Sequence, residues 1–180
     1  MKTDEDLEAV LRIFALYGFR KASMSDIASA VGISRQALYN RYASKEAVFG
    51  WAATQLVMQS ATGALAALDK PDSALPDRLL AAYDCWAGRH VDLLRTSPHA
   101  TEIIAMAHSE TSERTDRAEQ DINTKVAKLI SANGQGTSKA RAADLAHALY
   151  WASKGLLYTA RDNGAYREGL SRVIAALLPV

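Results

Sequence analysis

Gly32 stands between two short stretches that each open on a serine, and this punctuation limits what the chain can build there. Ser23 is a good helix N-cap, and Asp26, three residues on, makes an acid-at-N3 version of the capping box. Ile27, Ala28 and Val31 recur at i, i+1 and i+4, one apolar face of a short helix. Gly32 ends that helix, because glycine reverses the chain without a Cβ penalty. Ser34 caps again, and Arg35 to Tyr42 is expected as a second helix with Leu38 inward and Ser34, Arg35, Gln36 and Asn40 pointing away. Ser44 then opens a long helix expected from Lys45 to about Leu68. Two short capped helices around a glycine turn predict a helix-turn-helix. Its outer basic and amide face suits base edges and phosphates.

Charge is placed to match. The chain is 180 residues long with a net charge of only +1. Residues 1–17 are net −2, residues 18–50 net +3 and residues 51–180 neutral. A phosphate-binding surface needs local positive charge rather than a basic protein. The acidic start MKTDEDLEAV is unlike a signal peptide, and no apolar run reaches the ~18 residues of a membrane span. Cys85 is the single cysteine, so no intrachain disulfide is expected and a cytoplasmic location fits.

The rest of the chain reads as helices. Leu7, Val10, Leu11, Phe14 and Tyr17 make the apolar face of a first helix over about 4–17, closed by Gly18. Pro71 and Pro76 bracket the clearest linker. Further helices are expected over 76–96, 99–109, 111–132, 139–163 and 165–178, with a loop over 133–138. No strand-like alternation persists and no internal repeat is found. The expected fold is all-α with about nine helices. A three-helix DNA-binding domain (residues 1–50) is joined through a long helix to a ligand-binding and dimerisation domain (51–180).

The residues Phe14, Gly18, Phe19, Ser23, Ile27, Ala28, Val31, Gly32, Ile33, Ser34, Leu38, Tyr39, Tyr42, Lys45 and Glu46 carry a resemblance to the DNA-binding domain of the tetracycline-repressor (TetR) family of bacterial transcription regulators. It covers residues 7–50. Asn40 and Arg41 depart from the histidines that family favours, Tyr42 from its Phe, and Gln36-Ala37 from its Gly-Thr. The resemblance implies that the helix opening at Arg35 enters the major groove. Ser34, Arg35, Gln36 and Ala37 then approach bases, while Tyr39, Asn40 and Lys45 hold phosphates. Ser23, Ser25 and Arg41 complete the expected DNA-facing set. It also implies a homodimer on a palindromic operator and release by a small-molecule effector of unknown identity, most simply as a repressor.

Beyond residue 76 the sequence offers candidates rather than a motif. Tyr83, Trp86 and His90 follow at three- and four-residue steps, and His147, Trp151 and Tyr158 recur on the helix over 139–163. With Met106 as an adaptable wall, they are expected to line an apolar or aromatic ligand chamber, or alternatively to be ordinary core. The last two helices are apolar over much of their circumference. Leu149, Ala152, Leu156, Tyr166, Leu170, Val173, Ile174 and Leu177 are expected at a four-helix dimer interface. Asp144 and His147 lie i, i+3, yet the repeated Glu-x-x-His of a di-metal bundle is missing, so no metal and no cofactor are expected. No phosphate loop, nucleophile elbow or paired-Cys motif points to an enzyme. The alternatives are a helix-turn-helix regulator without an effector, or a helical small-molecule-binding protein or enzyme.

Overall fold

A computed structural model describes residues 4–133 and 138–178. Among them the chain is all-α: α1 Asp4–Lys21, α2 Met24–Ala30, α3 Arg35–Tyr39, α4 Lys45–Leu68, α5 Leu75–Trp86, a 3-10 turn Gly88–His90, α6 Val91–Thr96, α7 Ala100–Asn133, α8 Lys139–Thr159 and α9 Asn163–Leu177. No strand occurs among the described residues. The loop expected over 133–138 falls, at residues 134–137, outside them; Asn133 itself ends α7.

Several boundaries differ from expectation for local reasons. The helix expected over 35–42 ends at Tyr39, and Arg41 and Tyr42 both donate to the Leu38 carbonyl in a closing turn. The helix expected over 76–96 breaks at Ala87 (φ −134°, ψ −46°) into α5, the 3-10 turn and α6. Gly88 is required at that break, since a Cβ there would stand 2.5 Å from both Asp84 Oδ1 and Tyr166 Cε1. The helices expected over 99–109 and 111–132 are one helix, α7. The polar junction holds no Gly or Pro, and Thr111 returns its hydroxyl to the Ala107 carbonyl at 2.7 Å. α8 stops at Thr159, four residues early, because Asp162 caps α9 through the Ala165 N–H at 2.7 Å and Gly164 lies inside α9.

The chain divides into two compact units, whose boundaries fall within α4, α6 and α7. The first contains the residues up to Val57 together with Leu93–Thr115. Its core joins Phe14, Ile27, Leu38 and Val48, each fully buried, with Phe14, Phe19 and Phe49 in mutual contact at centroid distances of 5.1–5.8 Å. Near the end of α1, Gly18 adopts φ 72°, ψ 163°. The segment between α6 and α7 packs there: Ser97 Oγ donates to the Ala15 carbonyl at 2.7 Å, and a Cβ on Gly18 would stand 2.7 Å from His99 Nδ1.

The second unit contains Met58–Asp92 and the described residues from Asp116 onward. Leu68, Leu79, Tyr83, Ile122, Leu149, Tyr166 and Leu170 fill its core. Polar groups inside it are mostly paired. Tyr166 donates to the Tyr83 carbonyl at 3.1 Å and so accepts from Ser153 Oγ at 2.7 Å. Tyr150 donates to Glu119 Oε2 at 2.6 Å and accepts from Lys154 Nζ at 2.8 Å.

Candidate nucleic-acid interface

The first unit places its exposed polar face by backbone geometry at both ends of a tight turn. Ser23 accepts from the Asp26 N–H at 3.2 Å, and Asp26 Oδ2 accepts from the Ser23 N–H at 3.0 Å and from its hydroxyl at 2.6 Å. Those donors hold the Asp26 carboxyl below the usual carboxylate range. At the other end of α2, Gly32 (φ 69°) returns its N–H to Ser29 and Ile33 returns its N–H to Ala28 at 3.0 Å. This pair of bonds is a Schellman motif, so the direction of the chain leaving α2 is fixed by main-chain atoms. Ser34 then accepts from the Ala37 N–H at 3.1 Å and starts α3.

Leu38 anchors α3 with no exposed surface, which turns the opposite side outward. Ser34, Arg35, Gln36, Tyr39, Asn40 and Arg41 are exposed, and Ala37 is half-buried between them. Ser23 and Ser25 are exposed on α2's side of the turn. The Arg35 guanidinium lies 5.4 Å from the Tyr39 ring centroid, and Gln36 Nε2 donates to Asn40 Oδ1 at 3.1 Å. An arginine and a glutamine one residue apart can present bidentate donors and an amide to guanine and adenine edges. A tyrosine hydroxyl beside them suits a phosphate oxygen.

Lys45 is placed differently from a simple phosphate ligand. Its Nζ donates to the carbonyls of Ala22 at 2.9 Å and Arg20 at 3.2 Å, and it sits 4.7 Å over the Phe19 ring. It ties the start of α4 to the end of α1, where carbonyls carry the negative end of the helix dipole. Two of its three donors are used within the chain, which leaves one for phosphate. Nothing in the local sequence announced this clasp, because its partners are main-chain atoms 23 and 25 residues away.

Residues 7–50 match the profile of the bacterial regulatory proteins of the tetR family. The N-terminal domain is that of a tetR-family regulator. Solved structures extend the likeness over nearly the whole chain, at identities that establish the fold alone. A transcriptional regulator from Rhodococcus sp. Rha1 is 19% identical with a TM-score of 0.70, covering 99% of this chain and 96% of that one. The fatty acid degradation regulator FadR from Bacillus halodurans is 12% identical with a TM-score of 0.60, covering 98% of each chain. The TetR family repressor AlkX from Dietzia sp., implicated in biodegradation of n-alkanes, is 18% identical with a TM-score of 0.52, covering 96% and 92%. No curated protein matches the sequence. No helix among the described residues is long and apolar enough to cross a membrane. The tetR-family domain and the all-helical remainder thus have the fold read from the sequence.

The residues expected to line a ligand chamber differ in their burial and surroundings. Tyr83 is fully buried in the second unit's core, its hydroxyl without a partner, and burial beside Tyr166 and Tyr150 pushes its ionisation up. Trp86 packs against the same core. His90, in the 3-10 turn, meets Ser60 Oγ at 3.0 Å. Burial, followed by nearby Arg89, lowers its pKa to about 4, so it is neutral. Met106 belongs to the first unit's core instead. His147, Trp151 and Tyr158 lie on the outer side of α8, with Trp151 54% and Tyr158 53% exposed. Periodicity along α8 found a stripe but not its direction.

The expected dimer set needs a similar correction. Leu149, Tyr166, Leu170 and Ile174 are buried among this chain's own helices and have no surface to give a second copy. Ala152, Leu156, Val173 and Leu177 keep part of theirs. Sequence reasoning also missed the Glu119–Tyr150–Lys154 group, for which the i, i+4 spacing of Tyr150 and Lys154 was the available signal.

Proposed function

We propose that the chain is a ligand-responsive transcription regulator of the cytoplasm, acting as a repressor, that binds a palindromic operator as a homodimer. In this reading residues 1–50 bind DNA and residues 51–180 bind the effector and a second copy. The observation that carries it is the α3 face: Arg35, Gln36, Tyr39 and Asn40 exposed on a helix fixed by a Schellman turn and by buried Leu38. Such a face has no role in the fold and the right chemistry for a major groove. A single recognition helix binds weakly, so a two-fold pair spaced one DNA turn apart, ~34–36 Å, is required for an operator. The exposed side of α8 supports pairing. Small residues Ala148 and Gly155 alternate there with Trp151 and Tyr158, and part-buried Ala152 borders them. Repression and an effector are supported by the likeness to regulators described in terms of fatty acids and n-alkanes. An effector acts only through its different affinity for the DNA-bound and released forms of the dimer.

One observation favours a regulator without an effector: Tyr83 and Tyr166, fully buried, sit in a packed interior rather than around a chamber. Selection of bound duplexes from random DNA tests the main reading. Recovery of an inverted repeat with half-sites one turn apart is expected. Enrichment of a single half-site, or of no sequence, would refute the dimeric operator reading.

A further inference from the structure

We propose that the groove between α7 and α8 binds a small organic anion with a compact apolar body, and that this site receives the effector of the reading above. The groove has a volume of about 690 Å³ and lies wholly within the second unit. That volume suits a small organic ligand, whose pockets run about 300–1,000 Å³. Ala127 on α7 and Ala143 and Ala146 on α8 provide apolar, low walls, so the space exists because three methyl groups stand where larger side chains would close it. Lys128 and Lys139 stand on opposite sides of it, one from each helix, and neither is ion-paired among the described residues. None of the described lining residues is acidic. Lys139 also opens α8, whose first turn carries no acid, so the positive end of that helix adds to the field.

A second observation points into the same space. Asn123 lines the groove, and its Oδ1 is buried without a hydrogen-bond partner. That oxygen is polar capacity the fold leaves unused at the edge of the groove. His147 completes the rim and accepts from Trp151 Nε1 at 2.9 Å, which connects an occupant to an indole on the outer face of α8. Two cations and alanine walls fit a carboxylate on an aromatic or short aliphatic body. They do not fit a cation, and they give an uncharged isostere nothing to neutralise the lysines.

The test is calorimetric titration of the full-length protein with benzoate, and with benzamide as the uncharged match. Benzoate should bind once per chain, and benzamide about tenfold or more weaker. The Lys128→Gln/Lys139→Gln protein should lose about tenfold in benzoate affinity. Ala143→Trp, an exposed position where a fold check by circular dichroism is simple, should fill the groove and abolish binding. No benzoate binding up to about 10 mM, equal affinity for benzamide, or unchanged affinity in either variant overturns the site. Operator binding separates this inference from the one it rests on. Benzoate that occupies the groove without changing operator affinity supports the site and refutes the effector reading. A compound that still releases DNA from the Ala143→Trp protein leaves that reading standing and removes the groove from it.

Discussion

Gly18→Ala isolates one joint of the first unit. The native backbone there, φ 72° and ψ 163°, lies in a region that is essentially glycine-only. Holding alanine in it costs about 1–3 kcal/mol. The added methyl also meets an imidazole, with His99 Nδ1 at 2.7 Å, Cγ at 2.8 Å and Cε1 at 3.0 Å. Displacing the ring, on a residue whose backbone N–H is already tied to Ser97 Oγ at 3.1 Å, adds about 1–3 kcal/mol as an overpacking cost. Together the substitution should destabilise by roughly 2–6 kcal/mol, a large part of a typical domain's 5–15. Urea unfolding followed by circular dichroism measures it. The two causes separate in a double-mutant cycle, because His99→Ala removes the ring but not the backbone strain. Adding His99→Ala to Gly18→Ala should recover only the steric share, about 1–3 kcal/mol. If Gly18→Ala unfolds within ~0.5 kcal/mol of the natural protein, both the strain and the close packing are refuted.

Arg35→Ala and Gln36→Ala should each change the preferred base at one operator position by ~1–3 kcal/mol with the thermal midpoint unmoved; unaltered selection from random duplexes would remove α3 as the reader. His90 should make stability depend on acid. Its folded pKa of about 4 lies below the ordinary 6.5, so the unfolded chain binds the extra proton between those values and stability falls as pH drops from about 6.5 toward 4. The loss should be of order 2–3 kcal/mol, and a His90→Gln protein with the same pH profile would show that another group is responsible. Tyr83→Phe should be neutral or stabilising by up to about 2 kcal/mol, since it deletes a buried hydroxyl with no partner. Tyr166→Phe should cost about 1–3 kcal/mol, because it strands Ser153 and the Tyr83 carbonyl; equal effects from the two substitutions would contradict the hydrogen-bond assignment.

The parts legible in the sequence are those decided within a few residues. Ser23 with Asp26, Gly32 with Ser29, and Ser34 with Ala37 all form bonds across three positions, and each was signalled by residue type alone. The break at Gly88 was not, because it answers to Tyr166, 78 residues away in the chain. The continuity of α7 through Thr111 was hidden by polar residues that resemble a boundary until their hydroxyl partners are known. On α8, apolar side chains surround so much of the axis that spacing did not separate Leu149, which packs inward, from Trp151, which does not. The same ambiguity put buried Leu149 in the expected dimer set and exposed Trp151 in the expected ligand set.

The turn at Gly32 has a bearing on how such a protein changes over time. The bonds that aim α3 join main-chain atoms of Ala28, Ser29, Gly32 and Ile33, while Leu38 fastens it from beneath. Arg35, Gln36, Tyr39 and Asn40 contribute little to either task. Selection can therefore rewrite those four letters and redirect the protein to a new DNA address without first repairing its fold. A library randomised at these positions should stay mostly folded while its members diverge in the sequences they bind. Randomising Gly32 and Leu38 should instead leave few folded survivors.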